Sequence, residues 1–314
     1  MPRVLVTGGA GFIGSHLVDR LLVEGYDVVV CDNLSSGRME NLAQHAANPR
    51  FTFRQLDLRS AEDLSDAIQG CHSVFHIAAH ADVRSGADNP HIDLLNGTVA
   101  THNVLEAMRL NGIKEIVFAS SASVYGETPP VPMSEDYGPA LPISLYGAAK
   151  VAAEALVSAY CHTFDMRGWI FRFANIIGAR RRQGVVYDFV NRLKQDSSRL
   201  VVLGDGSQCK PYLHVSECVD GMLFGYTHAA GRVNLYNLGV ESATSVRSIA
   251  GIVIREMGLQ GVQVEFGRAD RGWLGDAPQF LFDMRKMAEL GWSARLTSDE
   301  AVIRTVNEYL AERE

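Results

Sequence analysis

Cysteine is scarce in this chain. Five of 314 residues are cysteines (Cys31, Cys71, Cys161, Cys209 and Cys218), an odd number, scattered, and never spaced as Cys-x-x-Cys. That usage excludes a disulfide-built scaffold and offers no zinc-type spacing; it suits reduced thiols. Positive charge is also short, with 29 Lys and Arg against 36 Asp and Glu for a net charge of −7. A chain without a broad basic field is a poor partner for nucleic acid or an anionic membrane, although a local basic cluster can still hold a small anion. Apolar runs stay short of the roughly 18 residues that suggest a membrane span, and the first residues lack the basic, apolar, small-residue order of a signal peptide. A cytoplasmic protein is expected. Repeats and low-complexity tracts are missing too. His72, His76 and His80 are four apart but straddle the apolar run Val74 to Ala79. That run has a strand pattern, which gives the three no common helical face, so no metal site is expected.

The composition that remains, 47% hydrophobic and 21% charged, is that of a globular protein with one large or two medium domains. From Arg3 to about Ile177, short apolar β-branched runs alternate with segments of helical period. Strands are predicted at Arg3 to Thr7, Asp27 to Cys31, Phe51 to Gln55, Ser73 to Ile77, Glu115 to Ser120 and Gly168 to Phe173. Helices are predicted at Gly11 to Glu24, Ala61 to Gln69, Asp93 to Asn111 and Leu145 to Phe164. Several strands are apolar on both sides, as strands covered on both faces must be. The alternation predicts right-handed crossovers and an α/β, doubly wound parallel sheet of Rossmann type. After Gly178 the texture changes to Arg180-Arg181-Arg182, a helical stretch from Tyr187 to Lys194, and Val201-Val-Leu-Gly-Asp-Gly206. This reads as a smaller α/β region over the carboxyl edge of the sheet, where ligands of such folds bind, with a boundary near residue 175.

Gly8, Gly11 and Gly14 are spaced GxxGxxG between the first strand and the first helix. Glycine allows the tight turn, close backbone approach to a pyrophosphate and close helix packing, while the helix N-terminus offers unpaired N–H groups to phosphate. Asp32 closes the second strand, where a carboxylate can bond both hydroxyls of an adenosine ribose and repel a 2′-phosphate. That favours NAD over NADP. A turn carboxylate is the competing reading for Asp32, since Asn33, Ser35, Ser36 and Gly37 follow it. Asp57 and Leu58, after the third strand, fall where an adenine edge would lie.

Tyr146 and Lys150 stand four apart on a predicted helix and so share a face. Free tyrosine titrates near about 10, and a neighbouring ammonium together with an oxidised nicotinamide favours its anion, which makes Tyr146 a candidate base. The competing reading is a surface Tyr and Lys on an amphipathic helix. Ser121 weighs against it, because a hydroxyl at the carboxyl end of the fifth strand falls beside a cofactor in this fold.

GGAGFIGSH (8–16), Asp32-Asn33-Leu34, Ser120-Ser-Ala-Ser-Val-Tyr-Gly126, Tyr146-Gly-Ala-Ala-Lys150 and Phe171-Arg-Phe-Ala-Asn175 resemble the extended short-chain dehydrogenase/reductase family. The match runs on through Gly204-Asp-Gly, Tyr212-Leu-His-Val215 and Asp270-Arg-Gly-Trp-Leu-Gly-Asp276, nearly the whole chain. Within the family it is most similar to NAD-dependent nucleotide-sugar 4-epimerases, particularly short UDP-glucose 4-epimerases of archaeal type. The resemblance implies an NAD-binding Rossmann domain over residues 1–174, with a returning segment near 210–240, and a UDP-sugar-binding domain over 175–314. It implies cofactor contacts from Gly8, Gly11, Phe12, Ile13, Gly14, Asp32, Asn33, Ser36, Gly37, Asp57, Leu58, Ala78, Ala79, Tyr146 and Lys150. It also implies a homodimer through the helices at 93–111 and 145–164. In the implied mechanism Tyr146, with Ser121 bonding the same oxygen, takes the proton of the sugar 4-hydroxyl as C4 is oxidised. Lys150 holds the nicotinamide ribose and favours the Tyr146 anion.

Related 4,6-dehydratases carry an Asp-Glu pair immediately after the hydroxyl residue, because eliminating water needs an additional acid and base. Here those positions are Ala122 and Ser123, which disfavours dehydration, and the decarboxylating relatives that keep a Glu at the second position. The substrate contacts implied by the family are Ser121, Asn175, Val201 and Leu203 beside uracil, Lys210, Arg271 and Asp276. Two departures stand out: Lys210 replaces an Arg whose fork would bind diphosphate bidentately, and Leu94 stands where an Asn is usual. The Arg180 to Arg182 run is either a solvated basic turn or places Arg182 at the sugar's C6 end, against a carboxylate. The substrate therefore stays open among a UDP-hexose, UDP-glucuronate or UDP-galacturonate, and a UDP-N-acetylhexosamine. A net NAD(P)-dependent reductase and a non-enzymatic dinucleotide sensor are the readings of other classes.

Overall fold

The computed structural model describes residues 2–80, 82–127, 132–269 and 279–312. The chain divides into two compact units. The first comprises 1–126, 138–172 and 222–236, and the second 127–137, 173–221 and 237–314.

The first unit is built on a seven-stranded sheet. Five of its strands, β1 (Arg3–Thr7), β2 (Asp27–Asp32), β3 (Phe51–Gln55), β4 (Ser73–His76) and β5 (Glu115–Ser121), lie in the spatial order β3-β2-β1-β4-β5. The strands Arg167–Phe173 and Val233–Leu238 extend the sheet beyond β5. β1 pairs in parallel with both β2 and β4, β2 with β3, and β4 with β5. The doubly wound parallel architecture is thus present. The order reverses between β1 and β4, and the carboxyl ends of those two strands border the crevice such sheets use for ligands.

The helices are α1 (Phe12–Val23), α2 (Ala61–Ala67), the short α3 (Ser85–Asp88) and α4 (His91–Asp93), α5 (Ala100–Leu110) and α6 (Leu145–Thr163). Leu5, Val29, Val74, Ile116, Phe118, Val104, Leu105, Met108 and Val157, all at most 2% exposed, form a core in which sheet and helix side chains interdigitate. The helix predicted as continuous from 93 to 111 is interrupted: Leu94–Val99 forms a π-helical turn before α5 starts. Gly97 in that turn lies so close to α6 that a Cβ there would stand 2.7 Å from the Ala149 Cβ. The Thr101 hydroxyl donates to the Gly97 carbonyl at 2.6 Å.

The second unit is made of short strand pairs and longer helices. Tyr212–His214 pairs in parallel with Asn175–Ile177, Gln263–Phe266 in parallel with Arg199–Val202, and Cys209–Lys210 antiparallel with Thr244–Ser245. Helices Val185–Gln195, Val246–Glu256 and Ser298–Ala311 contribute Phe189, Val190, Ile249, Val253, Val302 and Val306 to its core. The last of these helices starts with a capping box between Thr297 and Glu300.

Candidate functional site

Gly8 takes up the position at the end of β1 with a positive φ of 68°, which a side chain would strain. A Cβ on it would also stand 2.7 Å from the Ala78 Cα, so only glycine lets the turn after β1 meet the segment after β4. Gly11 caps α1 in extended geometry, and its N–H closes the turn onto the Gly8 carbonyl at 3.1 Å. Gly14 packs the helix down on the same carbonyl, where a Cβ would have only 2.2 Å of room. Phe12 and Ile13 begin α1, so their N–H groups are among those a helix leaves without an intrahelical acceptor.

Asp32, 8% exposed at the end of β2, takes the Ala10 N–H on Oδ2 at 3.0 Å and the Leu34 N–H on Oδ1 at 2.8 Å. Burial pushes its carboxyl upward while those two amides pull it down. Gly37 lies against it, since a Cβ there would stand 2.8 Å from both carboxylate oxygens. Asn33 donates to Asp57 Oδ2 at 3.3 Å, and the Arg59 guanidinium grips Asp57 at 2.9 and 2.6 Å, holding that carboxyl down at about 2. Leu58 is buried, Ala78 and Ala79 are half-buried, and Ser36 is exposed. A rigid carboxylate at the end of β2, a close glycine turn and the start of α1 form the donor and acceptor set that fits a dinucleotide.

Behind Ala78 lies a buried polar chain that the sequence reading passed over. The Ala78 N–H donates to the Thr7 hydroxyl at 3.3 Å, Thr7 meets His76 Nδ1 at 2.7 Å, and His76 Nε2 meets the Thr101 hydroxyl at 3.0 Å. Because Thr101 spends its proton on the Gly97 carbonyl, His76 must donate through Nε2 and accept on Nδ1. Burial, with Lys150 next, pushes the imidazole down to about 3, so it is neutral. The three histidines 72, 76 and 80 form no metal cluster, and none occurs among the described residues.

The proton-transfer residues meet at the end of β5. Ser144 caps α6 by accepting the Gly147 N–H at 3.0 Å, which starts the helix immediately before Tyr146. Gly147 brings that helix against the segment after β5: a Cβ there would stand 2.6 Å from the Ser123 carbonyl oxygen. Ser121 ends β5, and its hydroxyl oxygen accepts the Ser123 N–H at 3.2 Å, leaving its own proton to donate elsewhere. Lys150 is 4% exposed and donates to the Ala119 carbonyl at 2.5 Å. Its Nζ stands 4.7 Å from the Phe118 ring centroid and 5.7 Å from that of Tyr146. Burial pulls the Lys150 ammonium down to about 8, while Glu154 pushes it up. Ser121, Tyr146 and Lys150 thus belong to one neighbourhood of the first unit.

Glu154 and Arg172 were missed. The Ser120 hydroxyl donates to Glu154 Oε1 at 2.5 Å, and Arg172 forks onto both oxygens of Glu154 at 3.0 and 2.7 Å. The signal was present, because Arg172 is a cation flanked by Phe171 and Phe173 in an apolar strand, and a buried cation demands a buried partner.

In the second unit, Asn175 opens its strand with a buried Nδ2 that has no hydrogen-bond partner among the described residues. Val201 and Leu203 are 42% and 57% exposed, apolar side chains alternating with the buried Leu200 and Val202. Lys210 is half-buried on its two-residue strand. Gln208, 4% exposed, is another residue the sequence reading overlooked; both of its amide atoms lack partners among the described residues, under the Gly204 turn. The arginine run is held from the C-terminal helix. Ala179 and Arg180 donate their N–H groups to Glu308 and Glu312, Tyr309 donates its hydroxyl to the Arg181 carbonyl, and Arg182 pairs with Glu312 at 3.2 Å. Arg181 turns back onto the Gln183 and Ile176 carbonyls. Leu94, at the unusual position, is 50% exposed. Arg271 and Asp276 lie outside the described residues.

Comparison with known proteins agrees with this geometry. Over 312 residues, 97% of both chains, the protein is 36% identical to a UDP-glucose 4-epimerase of Mycolicibacterium smegmatis. The crystal structure of a UDP-glucose 4-epimerase from Thermotoga maritima with UDP-glucose superposes with a TM-score of 0.88 at 30% identity, covering 98% of each chain. That of the Thermus thermophilus UDP-glucose 4-epimerase with NAD gives 0.87 at 30% identity, over 99% of this chain and 100% of that one. The model of the NAD dependent epimerase/dehydratase family matches residues 4–239, three quarters of the sequence, and the chain belongs to that family.

Proposed function

We propose that the protein is an NAD-dependent isomerase that interconverts UDP-hexoses of the glucose and galactose type at C4, through a transient 4-keto sugar. The observation that carries the reading is the end of β5: Ser121 and the Tyr146–Lys150 pair provide for one proton transfer, and the next two positions are Ala122 and Ser123. With no carboxyl group there, an elimination lacks its acid and base. Tyr146 takes the proton of the C4 hydroxyl while Ser121 donates a hydrogen bond to the same oxygen, and Tyr146 returns the proton once the flat ketone has turned its other face. Bound NAD supplies a reversible hydride acceptor and is restored in each cycle. Lys150, held on the Ala119 carbonyl, keeps a positive charge near the phenol and favours its anion.

The first unit serves as the cofactor domain. Gly8, Gly11, Phe12, Ile13 and Gly14 receive the pyrophosphate. Asp32, Asn33, Ser36 and Gly37 receive the adenosine ribose, Asp57 and Leu58 the adenine, and Ala78 and Ala79 line the cofactor. In the second unit Asn175, Val201, Leu203 and Lys210, together with Arg271 and Asp276, bind the UDP moiety. A homodimer is supported by the apolar side chains that Leu94, Leu95, Leu110 and Leu145 expose on the π turn, α5 and α6. Among the described residues no helix is long and apolar enough to cross a membrane, and a cytoplasmic location fits that composition.

A uronic acid is the second reading of the substrate, and it requires Arg182 to exchange the Glu312 carboxylate it holds at 3.2 Å for that of the sugar. A UDP-sugar panel with NMR of the products tests both readings. Interconversion of UDP-glucose and UDP-galactose with no net NADH consumed is expected; failure of hexoses, uronates and N-acetylhexosamines alike overturns the epimerase, and stoichiometric NADH use makes the protein a reductase. Arg182→Ala that cuts uronate and hexose turnover equally rules out the carboxylate clamp.

A further inference from the structure

Tyr146, Lys150 and Glu154 follow one another at intervals of four on α6, so they stand on one face a turn apart. Their partners are equally regular. Lys150 bonds the Ala119 carbonyl, Glu154 receives the hydroxyl of Ser120, and Ser121 is the next residue of β5. Arg172, 6% exposed, forks onto Glu154 from the neighbouring strand and lies 4.8 Å over the Tyr125 ring. Glu154 is therefore an anion paired with Arg172 that also stands one turn from the buried Lys150 and acts on it through space.

The groups around Lys150 can be counted element by element. β4 presents His76, which is neutral; β5 presents the Ala119 carbonyl and the Phe118 ring; α6 presents Tyr146 and Glu154; and Arg167–Phe173 presents Arg172 beyond Glu154. Among these described groups Glu154 is the one carboxylate that supports the ammonium. With burial pulling it down and Glu154 pushing it up, Lys150 lies at about 8, so a modest change in its surroundings decides its charge.

We propose that Glu154 is a positioning residue that keeps Lys150 in its ammonium form and ties the end of β5 to α6, and that Arg172 opposes it, the pair together setting the pH range in which Tyr146 serves as base. This rests on the assignment of Tyr146 and Lys150 under Proposed function. Removing the anion leaves Arg172 uncompensated and drives the Lys150 proton off earlier. Removing Arg172 leaves Glu154 wholly to Lys150 and retains the proton to higher pH. The two substitutions therefore act in opposite directions, which a general loosening of the site does not.

The experiment is a pH titration of the NAD-loaded protein and of its Glu154→Gln, Arg172→Met and Ser120→Ala variants, read in two ways. One is the basic limb of the turnover profile with KM alongside. The other is the tyrosinate ultraviolet difference signal against Tyr146→Phe, which needs no sugar. In Glu154→Gln the basic limb moves down by about one pH unit, with KM and NAD content retained. In Arg172→Met it moves up. Ser120→Ala removes the hydroxyl contact but no charge, so it lowers turnover at every pH and leaves the limb where it was. Equal shifts in Glu154→Gln and Ser120→Ala, or movement of both charge variants in one direction, overturn the proposal. Should Arg172→Met fail to fold, Arg172→Lys retains the charge and keeps the limb in place; a limb that moves with it also overturns the proposal. If no UDP-sugar turns over while the tyrosinate signals of Glu154→Gln and Arg172→Met shift in opposite directions, the tuning stands and the substrate reading falls.

Discussion

Around Tyr146 and Lys150 in the first unit most buried polar groups are paired with one another, Lys150 with Ala119, Ser120 and Arg172 with Glu154, and His76 with Thr7 and Thr101; among the described residues the Ser123 hydroxyl is an exception. The second unit handles its polar groups differently. The Asn175 amide nitrogen and both amide atoms of Gln208 are buried without partners among the described residues, and Val201 and Leu203 turn apolar side chains outward. An unpaired buried amide costs about 1–3 kcal/mol, so each such group calls for a partner beyond the described residues. The contrast teaches that chemistry and recognition are prepared differently. One region carries mostly paired groups, and the other presents buried amides that a ligand would satisfy.

The largest expected effect tests the first unit. Tyr146→Phe should lower kcat by about 10³-fold, within the usual worth of a positioned acid–base group, while the purified protein still carries NAD; turnover within about tenfold of the parent removes Tyr146 as base. Next comes Gly147→Ala. Its Cβ would stand 2.6 Å from the Ser123 oxygen and 2.8 Å from the Pro142 Cβ, so α6 must shift away from Ser121. A kcat loss of about 10- to 100-fold is expected, because small misplacements of reacting groups are costly, and an unchanged kcat would show that the spacing is slack. Gln208→Leu then probes the second unit. Removing the orphaned amide should raise the unfolding temperature of the ligand-free protein by a few degrees while KM for the UDP-sugar rises several-fold. A lower melting point with unchanged KM would mean that Gln208 is paired and structural.

The smallest effect near neutral pH concerns His76. Its folded pKa lies at about 3, below its unfolded value near about 6.5. Between those values the unfolded chain binds the extra proton, so stability is lost as pH falls from the higher value toward the lower. His76→Gln should flatten the dependence of unfolding free energy on pH in that window. An unaltered slope would show that His76 is not held neutral.

Much of the first unit was legible beforehand. β1 and β3 fall where their β-branched runs put them, and β2 and β5 each gain a residue, Asp32 and Ser121, both of them site residues. The helix expected over 93–111 reads as continuous because its composition is helix-forming throughout. A π turn leaves no mark in apolar periodicity; it shows only once Gly97 is seen against Ala149. Glu154 escaped notice for a related reason, since a carboxylate a turn beyond Lys150 looks like part of a solvated helix face until Arg172 and Ser120 close over it. In the second unit the exposed Val201 and Leu203 were named from resemblance, and Gln208 was not, because a lone Gln in a loop has no spacing that announces burial.

Asp32 also bears on how the chain can change by mutation. One carboxylate oxygen ties down the glycine loop through Ala10 and the other ties down the chain after β2 through Leu34, with Gly37 filling the space beside them. A replacement that welcomes a 2′-phosphate at this position gives up both tethers in the same step. With the adenosine ribose seated on Asp32 as proposed, single substitutions at position 32 lead first to chains that have lost one nicotinamide cofactor without acquiring the other, and lineages that make the exchange must re-anchor the loops as they do so.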